Sequence, residues 1–252
     1  MSNTPHQNSG SGFYGLGIAP ALLQKLIQLN FQTPTPIQKQ AIPIAIQGKD
    51  LVGIAQTGTG KTLAFGLPMI QRLAQVKRQG LVVLPTRELA LQVDGALQQV
   101  GSSFGLRTAV LIGGAPMGQQ IRAIARKPHI IIATPGRLID HLDQKKLRLD
   151  NVAVAVLDEA DRMLDMGFLP QIKKIVEKLP RDRQTMLFSA TMPAEIMRIA
   201  STYMRLPVRV EIAPSGTTVE RVTQEMFIIP KEKKTGLLLK LLETYQGPTL
   251  VF

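Results

Sequence analysis

Cysteine and tryptophan are absent, and tyrosine and phenylalanine supply only three and eight residues of a 252-residue chain. Without cysteine there are no disulfides and no thiolate metal sites. Scarce aromatics argue against a surface that reads bases by stacking them on an aromatic platform. No run of 18 or more apolar residues occurs, and no charged-then-apolar leader stands at the start. The chain is therefore expected neither to span a membrane nor to be exported, with the cytoplasm as its compartment. Acids are also in short supply, 18 against 30 lysines and arginines, a formal net charge of +12. Such an imbalance favours a polyanionic partner. It is unevenly spread: residues 1–80 carry seven basic residues and the single acid Asp50, whereas residues 81–169 carry ten and nine. With stacking disfavoured, contact through phosphates and sugars is the expected mode.

A hydrophobic content of 44% is enough for a proper core, and the length suits one large domain or one domain plus a piece. The chain reads as organised around Ala55-Gln56-Thr57-Gly58-Thr59-Gly60-Lys61-Thr62, between the apolar run Leu51–Ile54 and a helix-like segment from Lys61 to about Gln75. That is the strand–loop–helix context of a phosphate-cradling loop. Glycines let successive N–H groups turn inward at the positive end of the helix. Lys61 would add a charge to the outer phosphates, and the Thr62 hydroxyl would ligate Mg²⁺. Ala55 stands where the general pattern has its first glycine.

Residues 1–12 read as a disordered polar tail, and a helix follows from Ala19-Pro20. Pro34 and Pro36 are expected to keep their stretch extended, with a short helix over Gln38–Ile46. Strands are expected at Leu81–Leu84, Thr108–Ile112, Ile130–Ala133, Ala153–Leu157 and Thr185–Phe188. Helical patterns lie near Glu88–Val100, Gly118–Arg126, Arg137–Asp143, Pro170–Lys178 and Ala194–Met204. The fold class is thus α/β, a mainly parallel sheet with helices on both faces. Ligands of such sheets bind at the carboxyl ends of the strands. The run Val154–Leu157 leads into Asp158-Glu159-Ala160-Asp161, placing a carboxylate where a nucleotide-bound Mg²⁺ would sit. Asp158 is the candidate for the metal, largely through water, and Glu159 for orienting or deprotonating the attacking water. His129 and His141 lack a second His or Cys at ligand spacing and read as structural, and His6 as tail. Arg162–Phe168 reads as core and loop.

Together these segments resemble the N-terminal RecA-like domain of a DEAD-box ATP-dependent RNA helicase, a P-loop NTPase domain, with matches in order from Phe13 to Phe252. Phe31 with Pro34-Thr35-Pro36-Ile37-Gln38 matches the family's Q motif and Phe13 its upstream aromatic; Asn30 stands in place of the usual glycine. The resemblance implies that Gln38 bonds the adenine edge, that Phe13 and Phe31 pack near the base, and that ATP and Mg²⁺ are the cofactors. Ser189-Ala190-Thr191 matches the segment that links nucleotide state to RNA contacts through Asp161. Pro85-Thr86-Arg87, Gly113-Gly114 and Thr134-Pro135-Gly136-Arg137 match the RNA face. Hydroxyls, bare glycine amides and guanidinium forks are plausible phosphate grips with little sequence specificity.

The domain is expected to cover residues 13–208, followed by a linker over 209–218 and the truncated start of a second RecA-like domain over 219–252. In that start, Gln224–Ile229 and Thr249–Phe252 read as strands flanking a helix at Lys233–Thr244. Two strands and a helix cannot bury a core of their own. The segment is expected to be disordered, to dock on the first domain, or to self-associate through exposed edges. By resemblance the missing second domain supplies the arginine finger, so the intact protein would couple ATP hydrolysis to RNA unwinding while this piece turns ATP over hardly at all. An ATP-gated RNA clamp without unwinding, and a DNA helicase with a similar core, are the alternatives.

Overall fold

The computed structural model describes residues 12–212 and 225–251. They fall into two compact units, Met1–Ser215 and Gly216–Phe252. In the first, helices α1 (Pro20–Gln28) and α2 (Pro36–Ile46) lead into strand β1 (Leu51–Ile54). Strands and helices then alternate: α3 (Lys61–Val76), β2 (Gln79–Val83), α4 (Arg87–Gly101), β3 (Thr108–Leu111), α5 (Met117–Ala125), β4 (Ile130–Ala133), α6 (Pro135–Asp143) and β5 (Val152–Leu157). The unit closes with α7 (Ala160–Asp165), α8 (Leu169–Glu177), β6 (Gln184–Ser189), α9 (Ala194–Tyr203) and β7 (Val208–Glu211). The strands form one seven-stranded sheet in the order β3-β4-β2-β5-β6-β1-β7, every neighbouring pair parallel.

Parallel pairing explains why the strands read as unbroken apolar runs: helices cover both faces. Val82, Ile132 and Phe188 face the core under α1–α4, while Leu81, Ile131 and Leu187, one residue away, face the core under α6–α9. Every strand expected in this unit from an apolar run forms, with ends moved by at most two residues. One approach fixes the centre of the sheet. Gly53 of β1 pairs with Phe188 of β6, and a Cβ on Gly53 would lie 2.6 Å from the Phe188 ring. The ring also packs on Phe65 of α3, centroids 5.6 Å apart, so strand, neighbour and covering helix are locked at one point.

The ladder runs one residue beyond several strands. The N–H of Ala55 donates to the Ser189 carbonyl (3.0 Å), that of Asp158 to Val83 (3.0 Å), that of Leu84 to Ala133 (3.0 Å) and that of Thr134 to Leu111 (3.0 Å). The motifs that start at Ala55, Asp158 and Thr134 are therefore pinned by the sheet at their first residue, and that of Pro85 at the residue before it, all on the carboxyl edge.

Three expectations are corrected. Pro36 does not keep the chain extended but begins α2, since its missing N–H costs nothing at the first helical position. Residues 209–211, expected as linker, belong to β7, which pairs with β1 as an edge strand; Val210 is buried while Arg209 and Glu211 point outward. The Arg162–Phe168 stretch is partly helical, with Met163 buried under the sheet and Met166 exposed. The linker expected over 213–218 and the tail over 1–11 lie outside the described residues.

In the second unit the expected helix is α10 (Lys234–Thr244), none of whose residues is buried. Residues 225–229 and 249–251 form no strand, correcting the two expected there; Gln224 and Phe252 lie outside the described residues. An apolar run becomes a strand only when a partner accepts its ladder, and Ile228 and Leu250 remain 94% and 78% exposed.

The opposite end of the sheet rests on Asp50. Its carboxylate accepts the Thr185 N–H (2.8 Å) and the Arg205 N–H (2.7 Å), while its carbonyl accepts the Val208 N–H that starts β7 (2.9 Å). Asp50→Ala would orphan two backbone donors and is expected to cost about 3 kcal/mol in denaturant unfolding. A loss below about 1 kcal/mol would show that the carboxylate holds nothing.

Candidate nucleotide and nucleic-acid site

The loop after β1 turns on glycine. Gly60 has φ +90°, a conformation that L side chains rarely adopt, and a Cβ there would collide with the Gln38 amide. The crowding is functional, because Gln38 Nε2 donates to the Gly60 carbonyl (2.9 Å) while its Oε1 accepts the Thr35 N–H (2.9 Å) at the start of α2. The Q-motif glutamine thus braces the phosphate loop itself. Lys61 opens α3, buried, its ammonium donating to the Ala55 carbonyl across the loop (3.0 Å). Gln56, Thr57 and Gly58 lie exposed at the tip, Thr59 donates its hydroxyl to the Gln56 carbonyl (2.7 Å), and Thr62 is half-buried.

The acidic segment after β5 meets this loop. Asp158 is buried with Oδ1 accepting the Glu159 N–H (2.9 Å). Burial pushes its pKa up to about 6, against the opposing pull of Lys61. Glu159 has φ +52°, left-handed for a non-glycine residue, strain of a kind that gathers at working sites. Its carboxylate accepts the Thr57 hydroxyl (3.0 Å) and meets the Arg162 guanidinium (3.3 Å). Asp161 Oδ2 accepts both the N–H and the hydroxyl of Thr191 (2.9 Å each), and its own N–H donates to Ser189 Oγ (3.0 Å). Burial would raise the Asp161 pKa, but hydrogen bonds from Thr191 and Ser189 outweigh it and hold the pKa below the usual value. Contacts therefore run from the loop through Glu159 and Asp161 to Ser189 and Thr191.

A buried carboxylate short of compensating charge suits a cation. Among the described residues no group of three His, Cys, Asp or Glu is placed to hold a metal. A divalent ion beside Asp158 and Thr62 would therefore draw its remaining ligands from phosphate oxygens and water, the habit of Mg²⁺. Phe13, buried, and Phe31, half-buried, line a cavity of about 340 Å³ with Leu26, Asn30 and Thr33. Asn30 has φ +59°, a left-handed position in which asparagine is the best tolerated substitute for glycine.

The remaining predicted residues occupy three loops on the same edge. Pro85 is buried, Thr86 caps α4 by accepting the Leu89 N–H (3.3 Å), and Arg87 is exposed with its guanidinium over Gly114, next to Gly113. Thr134 and Pro135 are buried at the start of α6, and Gly136 is half-buried. Arg137 turns inward, Nη1 donating to the Ala115 carbonyl (2.9 Å) and Nε 3.5 Å from Asp140. Sequence reasoning missed Arg162, the partner of Glu159; its spacing of three residues on one helical turn was the available signal. It also missed Gln120, which the sequence does not distinguish from its neighbour Gln119.

The DEAD/DEAH box helicase family model matches residues 35–199. The chain belongs to that family. It is 45% identical over 240 residues to the DEAD-box ATP-dependent RNA helicase CshA of Bacillus cereus, covering 94% of this chain and 46% of that one. It is 44% identical over 242 residues to the ATP-dependent rRNA helicase RRP3 of Debaryomyces hansenii, covering 95% and 51%. Among solved structures, a DEAD box protein from Methanococcus jannaschii aligns with a TM-score of 0.76 at 32% identity, over 93% of this chain and 64% of that one. A hypothetical ATP-dependent RNA helicase from Sulfolobus tokodaii aligns with a TM-score of 0.71 at 35% identity, over 76% and 56%. The parallel sheet is thus the RecA-like domain of this family, and the chain spans about half the length of the curated relatives it matches.

The raised Asp158 pKa yields a signed expectation. A carboxyl whose folded pKa exceeds its unfolded value favours the native state at low pH and loses that contribution as pH rises from about 4 through 6. Asp158→Asn, which can still accept the Glu159 N–H, should therefore stabilise the metal-free chain by up to about 3 kcal/mol at pH 7.5. The gain should shrink to about 1 kcal/mol at pH 4.5. His129 and His141, both held below the usual histidine pKa with burial the largest cause, weaken wild type and variant alike on acidification and cancel in the difference. Thermal and urea unfolding at the two pH values measure it; a pH-independent difference would contradict the burial argument.

Proposed function

We propose that this chain is the nucleotide-binding half of an ATP-dependent RNA helicase. The carrying observation is the run of contacts from the phosphate loop through Thr57–Glu159 to Asp161–Thr191, which ties a nucleotide site to the edge where the predicted RNA loops lie. In this reading ATP enters with its phosphates on residues 55–62, Lys61 leaves the Ala55 carbonyl for the outer phosphates, and the base lies beside Phe31 and Gln38. Thr62 and, through water, Asp158 would hold Mg²⁺, which would supply charge neutralisation to the phosphates. Glu159 orients and deprotonates the attacking water. RNA is gripped through its backbone, in keeping with the net charge of +12, and the exposed Arg87 is the better phosphate donor of the two motif arginines.

Hydrolysis in this reading needs a second RecA-like domain. Lys61 and Arg162, the basic groups seen at the nucleotide site, are already engaged with Ala55 and Glu159, and the relatives are about twice as long. An arginine finger from elsewhere would be worth roughly 10³–10⁵ in rate. The chain should bind a fluorescent ATP analogue with Mg²⁺, and Lys61→Ala should weaken that binding about tenfold or more. Its turnover should stay near background with RNA present. A version extended by the downstream coding sequence should hydrolyse ATP faster with RNA than with DNA of the same sequence, and separate short duplexes. Strong RNA-stimulated hydrolysis by these 252 residues alone, or equal stimulation by DNA, would overturn the reading.

A further inference from the structure

Gln120 is the only buried residue of α5. Its Nε2 donates to the Ile112 carbonyl (2.9 Å) and reaches the Ala115 carbonyl (3.4 Å), so its Oε1 is left as the acceptor that lies 2.9 Å from His141 Nε2. With both carbonyls demanding the amide N–H groups, Oε1 can only accept, and His141 must carry its proton on Nε2. His141 is fully buried on α6, and its Nδ1 has no partner, so a second proton there would meet no acceptor. The Ala115 carbonyl also takes Arg137 Nη1, and Arg87 lies over Gly114. The loop carrying Gly113 and Gly114 is thus held from α5, from α6 and from the start of α4.

A surface role does not explain this arrangement, since Gln120 and His141 expose 4% and 0% of their surface. A purely apolar contact between α5 and α6 would join the helices without reaching the loop carbonyls. We infer that Gln120 and His141 are positioning residues for nucleic-acid binding: they fix residues 112–115 against α6 so that the glycine amides and Arg87 present one preformed surface to a phosphate backbone. The inference rests on the RNA reading of this edge, and neither side chain touches the nucleic acid.

The test uses the 252-residue chain, a fluorescein-labelled oligouridine read by anisotropy at low salt, and a fluorescent ATP analogue. His141→Phe keeps a buried ring without a donor, and Gln120→Met keeps length without an amide. Each should weaken oligouridine binding roughly fivefold with nucleotide affinity unchanged. The double variant should be no weaker than the worse single one, because the residues act through one chain of bonds. His141→Gln, which restores a donor, should recover part of the loss. Unchanged oligouridine affinity in both single variants, even with lowered melting temperatures, would reduce the pair to a structural contact and overturn the inference. Arg87→Ala separates the two levels: if it weakens oligouridine binding while the pair does not, only this inference fails; if it has no effect, the RNA reading of the edge fails with it. Should the variants not fold, the ¹⁵N shifts of the His141 ring in the wild-type chain still decide the geometry. A proton on Nε2 supports the arrangement, and one on Nδ1 overturns it.

Discussion

The ring of Phe188 fills the space where any other residue at position 53 would carry a Cβ. That one approach sets β1 against β6 in register, and the register puts the Ala55 N–H on the Ser189 carbonyl. The start of the phosphate loop and the Ser189–Thr191 segment are consequently neighbours by sheet geometry rather than by a flexible contact. Close-packed interiors resist deformation, so this sheet contact holds the two segments in place and leaves the relay between them to side chains. The segment after β5 joins them a second time: Glu159 accepts the Thr57 hydroxyl, and Asp161 makes three hydrogen bonds to Ser189 and Thr191.

The site is held in a costly state. Asp158 is a charge withdrawn from water, and Glu159 sits in left-handed backbone. Both features lower the stability of the empty chain, and a cation beside Asp158 would offset the first. The rigid sheet below, stapled at its far end by Asp50, is what allows the carboxyl edge to carry this strain.

The five central strands were legible because parallel strands buried on both faces are continuous apolar runs, and the phosphate loop because its glycines and lysine leave few alternatives. β7 was hidden because an edge strand alternates, and Val-Arg-Val-Glu over four residues reads as a polar connection. The strands expected near both ends of the second unit failed for the converse reason: apolar composition was present without a ladder partner. At the site, residue types announced Lys61, Asp158 and Glu159 but not their apo partners. The inward turn of Arg137 onto Ala115, the capping work of Thr86 and the buried bonds of Gln120 depend on which loops lie side by side. No local pattern encodes that adjacency.

The account stands or falls on communication through Asp161. Amide hydrogen exchange of the chain, with and without a non-hydrolysable ATP analogue and Mg²⁺, measures it directly. The account predicts altered protection both at residues 55–62 and at residues 189–191, with Asp161→Ala abolishing the second response and sparing the first. A response confined to residues 55–62 in the wild-type chain, or one at residues 189–191 that survives Asp161→Ala, would contradict it.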